Sequence, residues 1–402
     1  MRPVDHGSAL STGTASLRRT ARTAPTLVSI FVLIINCPAN ADVFIPPDGA
    51  PDYVVTYLVE AGGSVRKPRT KTVSHHGAWT RIEQSGGDHP SISYVAKSRR
   101  ITQRFWSNNA ASVAGFSEEW GERQDGERWQ TDARRTTERR LIAGERCTVW
   151  LVWHSLQQKL EKKSCVTEDG IEVASFTETD RGTLVLDEAV KVERRALRAE
   201  DVTPARHLFD PAFWFSQAEL QASTADVTTK FNPNDEVRLK RSDETRPSAR
   251  SGITEVRRRY GTVTSIMTLK SDGEWQHKLS FGSRLLFVFQ SDASGAYGSF
   301  SVTHLTGHDG HVKMDRAPDI ILGESCIWYD DAPGMMDASS HNCETPDGAV
   351  LKTVQRSRSH LNEMTAQILR RGANQPADFS LPSNLSDMRE WQRSGIRPHD
   401  NQ

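Results

Sequence analysis

The chain has 402 residues, a formal net charge of zero, and 36% hydrophobic against 25% charged residues. That length suits two or three domains rather than one, and ten Trp and fourteen Phe exclude a disordered chain. Charge neutrality leaves nothing global to attract nucleic acid or an anionic membrane.

The N-terminus reads as an export signal. Arg18, Arg19 and Arg22 precede an apolar run at 26–35 (TLVSIFVLII), and Ala39-Asn40-Ala41 gives a small-x-small cleavage pattern before Asp42. The run falls well short of the roughly 20 apolar residues of a spanning helix. Loss of residues 1–41 removes four Arg and one Asp, leaving 47 basic and 50 acidic residues, a net of −3. Cys37 leaves with the signal; Asn36 stands where a lipidation signal wants a small residue. Four cysteines remain, an even number that fits a periplasmic or secreted chain.

Beyond Asp42, strand signals dominate. Alternating or β-branched runs occur at 53–59 (YVVTYLV), 91–96 (SISYVA), 148–153 (TVWLVW), 171–176 (IEVASF), 183–186 (TLVL) and 189–192 (AVKV). A charged stretch at 118–140 interrupts them and reads as an edge hairpin or a solvated helix, with the exposed face as its plain explanation. Asp210-Pro211 looks like an N-cap followed by Pro at the first helical position, opening a helix from Ala212 to Ala222. The polar segment 223–251 then reads as a linker or surface excursion. Strand runs resume at 263–269 (VTSIMTL), 285–289 (LLFVF), 298–302 (GSFSV) and 349–354 (AVLKTV). Ser386 is placed to cap a short helix through Trp391, closed by Gly395.

One block is written twice. Gly144-Glu145-Arg146-Cys147, a Trp-bearing run and Cys165-Val166-Thr167-Glu168-Asp169-Gly170 recur as Gly323-Glu324-Ser325-Cys326, a second Trp-bearing run and Cys343-Glu344-Thr345-Pro346-Asp347-Gly348. Trp214 and Trp391 fall close to the same register. The repetition implies an internal duplication: a signal peptide at 1–41, a first sheet domain at 42–222, the segment 223–251, and a second sheet domain at 252–402. Four cysteines allow three connectivities; duplication favours the pairs within each copy, Cys147 with Cys165 and Cys326 with Cys343. Gly144 and Gly323 are expected in turns of positive φ, and the two Asp-Gly pairs in tight turns.

No catalytic constellation emerges. His304, His308 and His311 lie with Asp309 in eight residues, but Gly307 and Gly310 deny the cluster a helical face, so an exposed turn explains it better than a metal-dependent enzyme. His75-His76 reads as core or surface histidine. No Gly-x-Ser-x-Gly elbow, phosphate loop or dinucleotide fingerprint occurs. Glu118-Glu119 and Asp330-Asp331 sit in polar or turn-like contexts, and Arg99-Arg100 and Arg257-Arg258-Arg259 read as solvated strand ends. No cofactor and no nucleic-acid partner is expected.

The Gly-Glu-x-Cys…Cys-x-Thr-x-Asp-Gly block is similar to a motif of small periplasmic proteins. With the strand pattern it makes each half resemble the bacterial lipoprotein-carrier superfamily, of LolA/LolB-like fold. The resemblance implies an α+β chain of two tandem curved antiparallel β-sheets, each an open half-barrel with a few short helices over an apolar concave face. It implies a cavity for acyl chains; no carrier binding residue maps onto this chain. Doubling, and a cysteine pair per half, depart from the carriers. The expectation is therefore an exported, non-enzymatic envelope protein holding an apolar or lipid-like ligand. Trp150, Leu151, Trp153, Phe287 and Phe289 are candidates for the lining. The alternative is a structural or protein-interaction module that docks an envelope partner through sheet edges or the 118–140 segment.

Overall fold

A computed structural model describes residues 49–59, 69–85, 90–96, 99–105, 113–120, 134–155, 160–179, 182–221, 233–241, 252–282, 284–305, 312–330, 338–357 and 361–393. The signal segment lies outside them, as do the centre of the charged 118–140 stretch, His308 and His311.

The first half contains β1 (Tyr53–Val59), β2 (Arg69–His76), β3 (Trp79–Ser85), β4 (Ser91–Ala96), β5 (Arg99–Phe105), β6 (Val113–Trp120), β7 (Arg134–Ile142), β8 (Glu145–Ser155), β9 (Leu160–Thr167), β10 (Glu172–Thr179) and β11 (Gly182–Arg194). These are followed by α1 (Ala199–Val202), a 3₁₀ turn (Arg206–Phe209) and α2 (Pro211–Gln221). The second half contains β12 (Asn234–Arg241), β13 (Thr254–Tyr260), β14 (Val263–Leu269), β15 (Trp275–Phe281), β16 (Leu285–Ser291), β17 (Gly298–His304), β18 (Val312–Lys313), β19 (Asp319–Ile321), β20 (Glu324–Asp330), β21 (Ala338–Glu344), β22 (Val350–Ser357) and β23 (Leu361–Arg371). A 3₁₀ turn (Pro376–Phe379) and α3 (Met388–Arg393) close it.

All strands pair antiparallel. From one edge the order is β7-β8-β9-β10-β11-β1-β2-β3-β4-β5-β6. It continues β17-β16-β15-β14-β13-β12-β23-β22-β21-β20, with short β18 and β19 both on β20. The two sheets expected from the sequence are thus joined through β6 and β17 in one sheet, of 23 strands among the described residues. A bare strand edge leaves a row of backbone groups unpaired; here each half supplies the strand that covers the other's edge. The segment 223–251 also holds more than a connection. Val237 and Leu239 alternate inward along β12, which pairs on both sides.

The ladders around β1 and β12 correspond. Val55 faces Val192 and Val73, while Val237 faces Leu369 and Arg257. The β1–β11 ladder shifts register after Thr56, and the β12–β23 ladder shifts after Arg238, the same place in the repeat. The hairpins ahead of Cys147 and Cys326 turn on two residues of positive φ, Ala143-Gly144 (49° and 80°) and Leu322-Gly323 (55° and 79°), a turn whose twist suits an antiparallel hairpin. Past each second cysteine, a threonine hydroxyl closes the next turn. Ile171 N donates to Thr167 Oγ1 and Ala349 N to Thr345 Oγ1, both at 2.9 Å.

The outer part of each half curls. Arg194 at the end of β11 donates to Glu145 at the start of β8 (2.8 Å) and to Asp169 (2.6 Å), although β8 and β11 are three strands apart and a flat sheet would separate them by roughly 14 Å. Arg371 at the end of β23 makes the matching contacts with Glu324 and Asp347. Inside each curl lies a small core, Val55, Tyr57, Val149, Val173 and Phe176 with Cys147 and Cys165 in the first, and Val237, Leu239, Trp328, Leu351 and Met364 with Cys326 and Cys343 in the second. The paired sulfurs are 2.11 and 2.10 Å apart. No pairing closes either curl into a barrel among the described residues.

Candidate functional site

The largest core lies at the joint and draws on both halves. β4, β5 and β6 contribute Tyr94, Ile101 and Phe116; β14 to β17 contribute Met267, Leu279, Leu285, Phe287, Phe289, Phe300 and Val302. These side chains alternate along their strands, so one face of the central sheet is apolar. Two helical segments cover it. α2 starts where Asp210 accepts a hydrogen bond from Ala212 N (2.9 Å). α3 starts at Asp387 rather than Ser386, because the Asp387 carboxylate accepts from Arg389 N (3.0 Å).

Each helical segment carries one fully buried indole, held by the same hydrogen bond. Trp214 Nε1 donates to Leu208 O, and Trp391 Nε1 donates to Leu385 O, both at 2.9 Å. Trp214 lies 6.0 Å from Phe116 of its own half and 5.8 Å, edge-on, from His304 of the other. Trp391 lies 5.9 Å from Phe300 of its own half and 5.0 Å from Trp120 of the other. Each indole thus packs on its own half and spans the joint to the other. Leu385 N donates to Phe209 O (2.9 Å), tying the two covering segments together.

This covering decides the fate of the ligand-lining candidates. Phe287 and Phe289 are both fully buried; Phe287 packs against Phe215 of α2, and Phe289 against Trp391 at 4.8 Å. Trp150 and Leu151 are half-buried on β8, away from the joint, and the Trp153 side chain lies outside the described residues. The four described side chains do not line one surface. One shallow cavity, of about 440 Å³, opens between Asp210, Pro211, Ala212 and Phe215 on one side and Phe379, Leu381, Pro382 and Ser383 on the other, with Phe281.

The polar candidates are distributed rather than convergent. His304 is buried, and burial lowers its pKa; His308 and His311 fall outside the described residues, among which no group of His, Cys, Asp and Glu is arranged to hold a metal. His75 meets Thr80 (3.1 Å) and His76 meets Asp52 (2.9 Å). Arg257, Arg258 and Arg259 are half-buried in mid-strand rather than at solvated strand ends. They pair with Glu255, Glu236 and Asp235, so little of their charge faces outward. Arg99 pairs with Glu118, whose pKa burial raises against the pull of that guanidinium.

Sequence reasoning passed over one pair with the appearance of chemistry. Ser265 Oγ and His277 Nε2 are 2.8 Å apart. Burial, with Arg258 nearby, pushes the His277 pKa down to about 3. The histidine is 3% exposed, so no substrate reaches it, and the contact is a structural hydrogen bond inside the sheet. A β-branched and aromatic strand pattern gives no sign of such a pair, because its members stand on different strands.

No protein-family model and no curated protein matches the chain. Solved structures that it resembles include MucB in complex with MucA(peri), at 14% identity, covering 67% of this chain and 90% of that one, with a TM-score of 0.27. Others are the Pseudomonas aeruginosa MucA/MucB complex (12% identity, 64% and 89% covered, TM-score 0.28) and MucB alone (14%, 65% and 89%, TM-score 0.26). Similarity at this level assigns no function to the chain.

Proposed function

We propose that this is an exported envelope protein whose sheet is a scaffold for docking another protein. The observation that carries the reading is the occupation of the sheet's apolar face by the chain's own Trp214 and Trp391, which leaves the edges and outer surfaces for recognition. The 1–41 signal supports export, and an oxidising compartment suits the two cysteine pairs. Internal duplication, giving units at 42–222 and 252–402, accounts for the matching ladders, bulges and turns.

A lipid carrier of the LolA/LolB-like kind finds less support. Its ligand would need the space that Phe215 and Trp391 fill, and the open cavity beside α2 is too shallow to enclose an acyl chain. The test is site-specific photo-crosslinking of the exported chain, with the probe placed in turn on the outer strands and at the cavity rim. Docking predicts a discrete protein adduct from the outer strands. Crosslinks to lipid from the rim, with none to protein, would refute it.

A further inference from the structure

The two ends of the sheet are not equivalent. At one end β7 is nine residues long and, among the described residues, bonds only to β8. At the other, β18 and β19 have two and three residues, and Pro318, immediately before β19, has no N–H to offer a neighbour. Short strands and proline blunt a sheet edge. The end bearing β18 and β19 is blunted in this way, whereas β7 has neither device.

The side chains of β7 say what would fit there. Arg134, Arg135 and Arg139 are exposed, and none is paired with a carboxylate among the described residues. The strand's single acid, Glu138, is taken by Arg140 at 2.7 Å. Arg140 also lies over the Phe176 ring at 4.2 Å, which anchors that part of the strand to the curl. Leu141 is 70% exposed beside it. A strand edge with three guanidinium groups unpaired among the described residues and an apolar side chain suits an extended segment carrying carboxylates and a few apolar residues. A second copy of this chain suits it poorly, since β7–β7 pairing would bring together two strands that each carry four Arg and one Glu, and like charges across a ladder are destabilising.

We infer that β7 is the docking strand and that its partner is an extended acidic segment of another protein, added to the sheet as a further strand. The inference rests on the docking reading above and narrows it to one edge and one chemistry. Main-chain hydrogen bonds would supply the attachment and the arginines the choice of partner.

The test uses the full exported chain and a fluorescent alternating Glu–Val peptide of about ten residues, a strand's length, with an alternating Lys–Val peptide as control. Fluorescence anisotropy reads binding, and amide hydrogen exchange reads where it occurs. The Glu–Val peptide is expected to bind at low salt and to slow exchange at 134–139 by about tenfold or more, and the Lys–Val peptide to do neither. Charge reversal at three exposed positions, Arg134→Glu, Arg135→Glu and Arg139→Glu, is expected to weaken binding by about tenfold or more. Unchanged exchange in β8 shows that the variant keeps its fold. Binding without protection at 134–139, binding that survives the triple reversal, or no binding overturns the inference. So does protection of β7 by self-association in the absence of peptide. If the reversed chain still crosslinks to the parent's protein adduct in the envelope, docking stands and β7 is the wrong edge; if neither chain gives an adduct, the docking reading itself fails.

Discussion

Ser117 stands opposite Ser301 in the strand pair that joins the two halves, and the ladder around them reads the same from either side. Phe116 faces Val302, and Phe300 faces Glu118. Position 301 occupies in β17 the place that 117 occupies in β6, so the joint has the form of an isologous interface contained in one chain. Trp214 and Trp391 repeat the relation one layer above, each reaching the end of the other half's joining strand.

That joint depends on a missing side chain. A Cβ at Gly298 would stand 2.6 Å from Trp120 Cζ2, and Trp120 is held from above by Trp391. Gly298→Val is expected to force the indole off its seat and to destabilise the fold by roughly 1–3 kcal/mol, the usual range for overpacking. Urea unfolding checks the value, and a shift in tryptophan emission reports the displaced ring.

His277 makes stability depend on pH. Its folded-state pKa, about 3, lies below the ordinary 6.5. Between those values the unfolded chain binds a proton that the folded chain does not. The contribution is complete above about pH 6.5 and is lost as pH falls toward 3, by up to roughly 1.4 kcal/mol per unit. His277→Gln is expected to flatten the fall in urea midpoint between neutral and mildly acidic pH. A variant as acid-sensitive as the parent would remove His277 from the account.

The hairpin turns carry a correctable cost. Leu322 has φ 55° and is 49% exposed, so it holds a left-handed conformation without a packing role. Asn tolerates that conformation and is favoured before Gly in such turns. Leu322→Asn is expected to stabilise the chain by roughly 0.5–1 kcal/mol, read as a raised urea midpoint with an unchanged slope.

Within each curl the cysteine pair bridges β8 to β9 and β20 to β21. Replacing Cys147 and Cys165 together by Ala is expected to cost roughly 3 kcal/mol for a loop of this size. Peptide mapping without reductant should find 147 joined to 165 and 326 joined to 343. A bridge between the halves would break the correspondence on which the duplication rests.

Much of this was legible in the sequence because it is local. Gly144 and Gly323 announced turns, a run rich in β-branched and aromatic residues marked 53–59, and Asp210-Pro211 announced α2. The joint was not, because β6 and β17 are far apart in sequence and nothing in 113–120 names its partner. The polarity of 223–251 concealed β12, where Asp235 and Glu236 are held by Arg259 and Arg258 of the neighbouring strand; charges that read as solvent-facing satisfy one another inside the sheet. Phe287 and Phe289 were legible as members of a strand run at 285–289. Whether their face held a ligand or the chain's own helix depended on Phe215 and Trp391, whose destinations are set by packing at long range.

Native mass spectrometry of the exported protein, purified without detergent and sprayed under conditions that keep lipids bound, tests the closed apolar face most directly. The account predicts the mass of the bare polypeptide with both cysteine pairs oxidised. A stoichiometric acyl-chain adduct would contradict it, since at the joint such a chain fits only if Trp214 or Trp391 leaves.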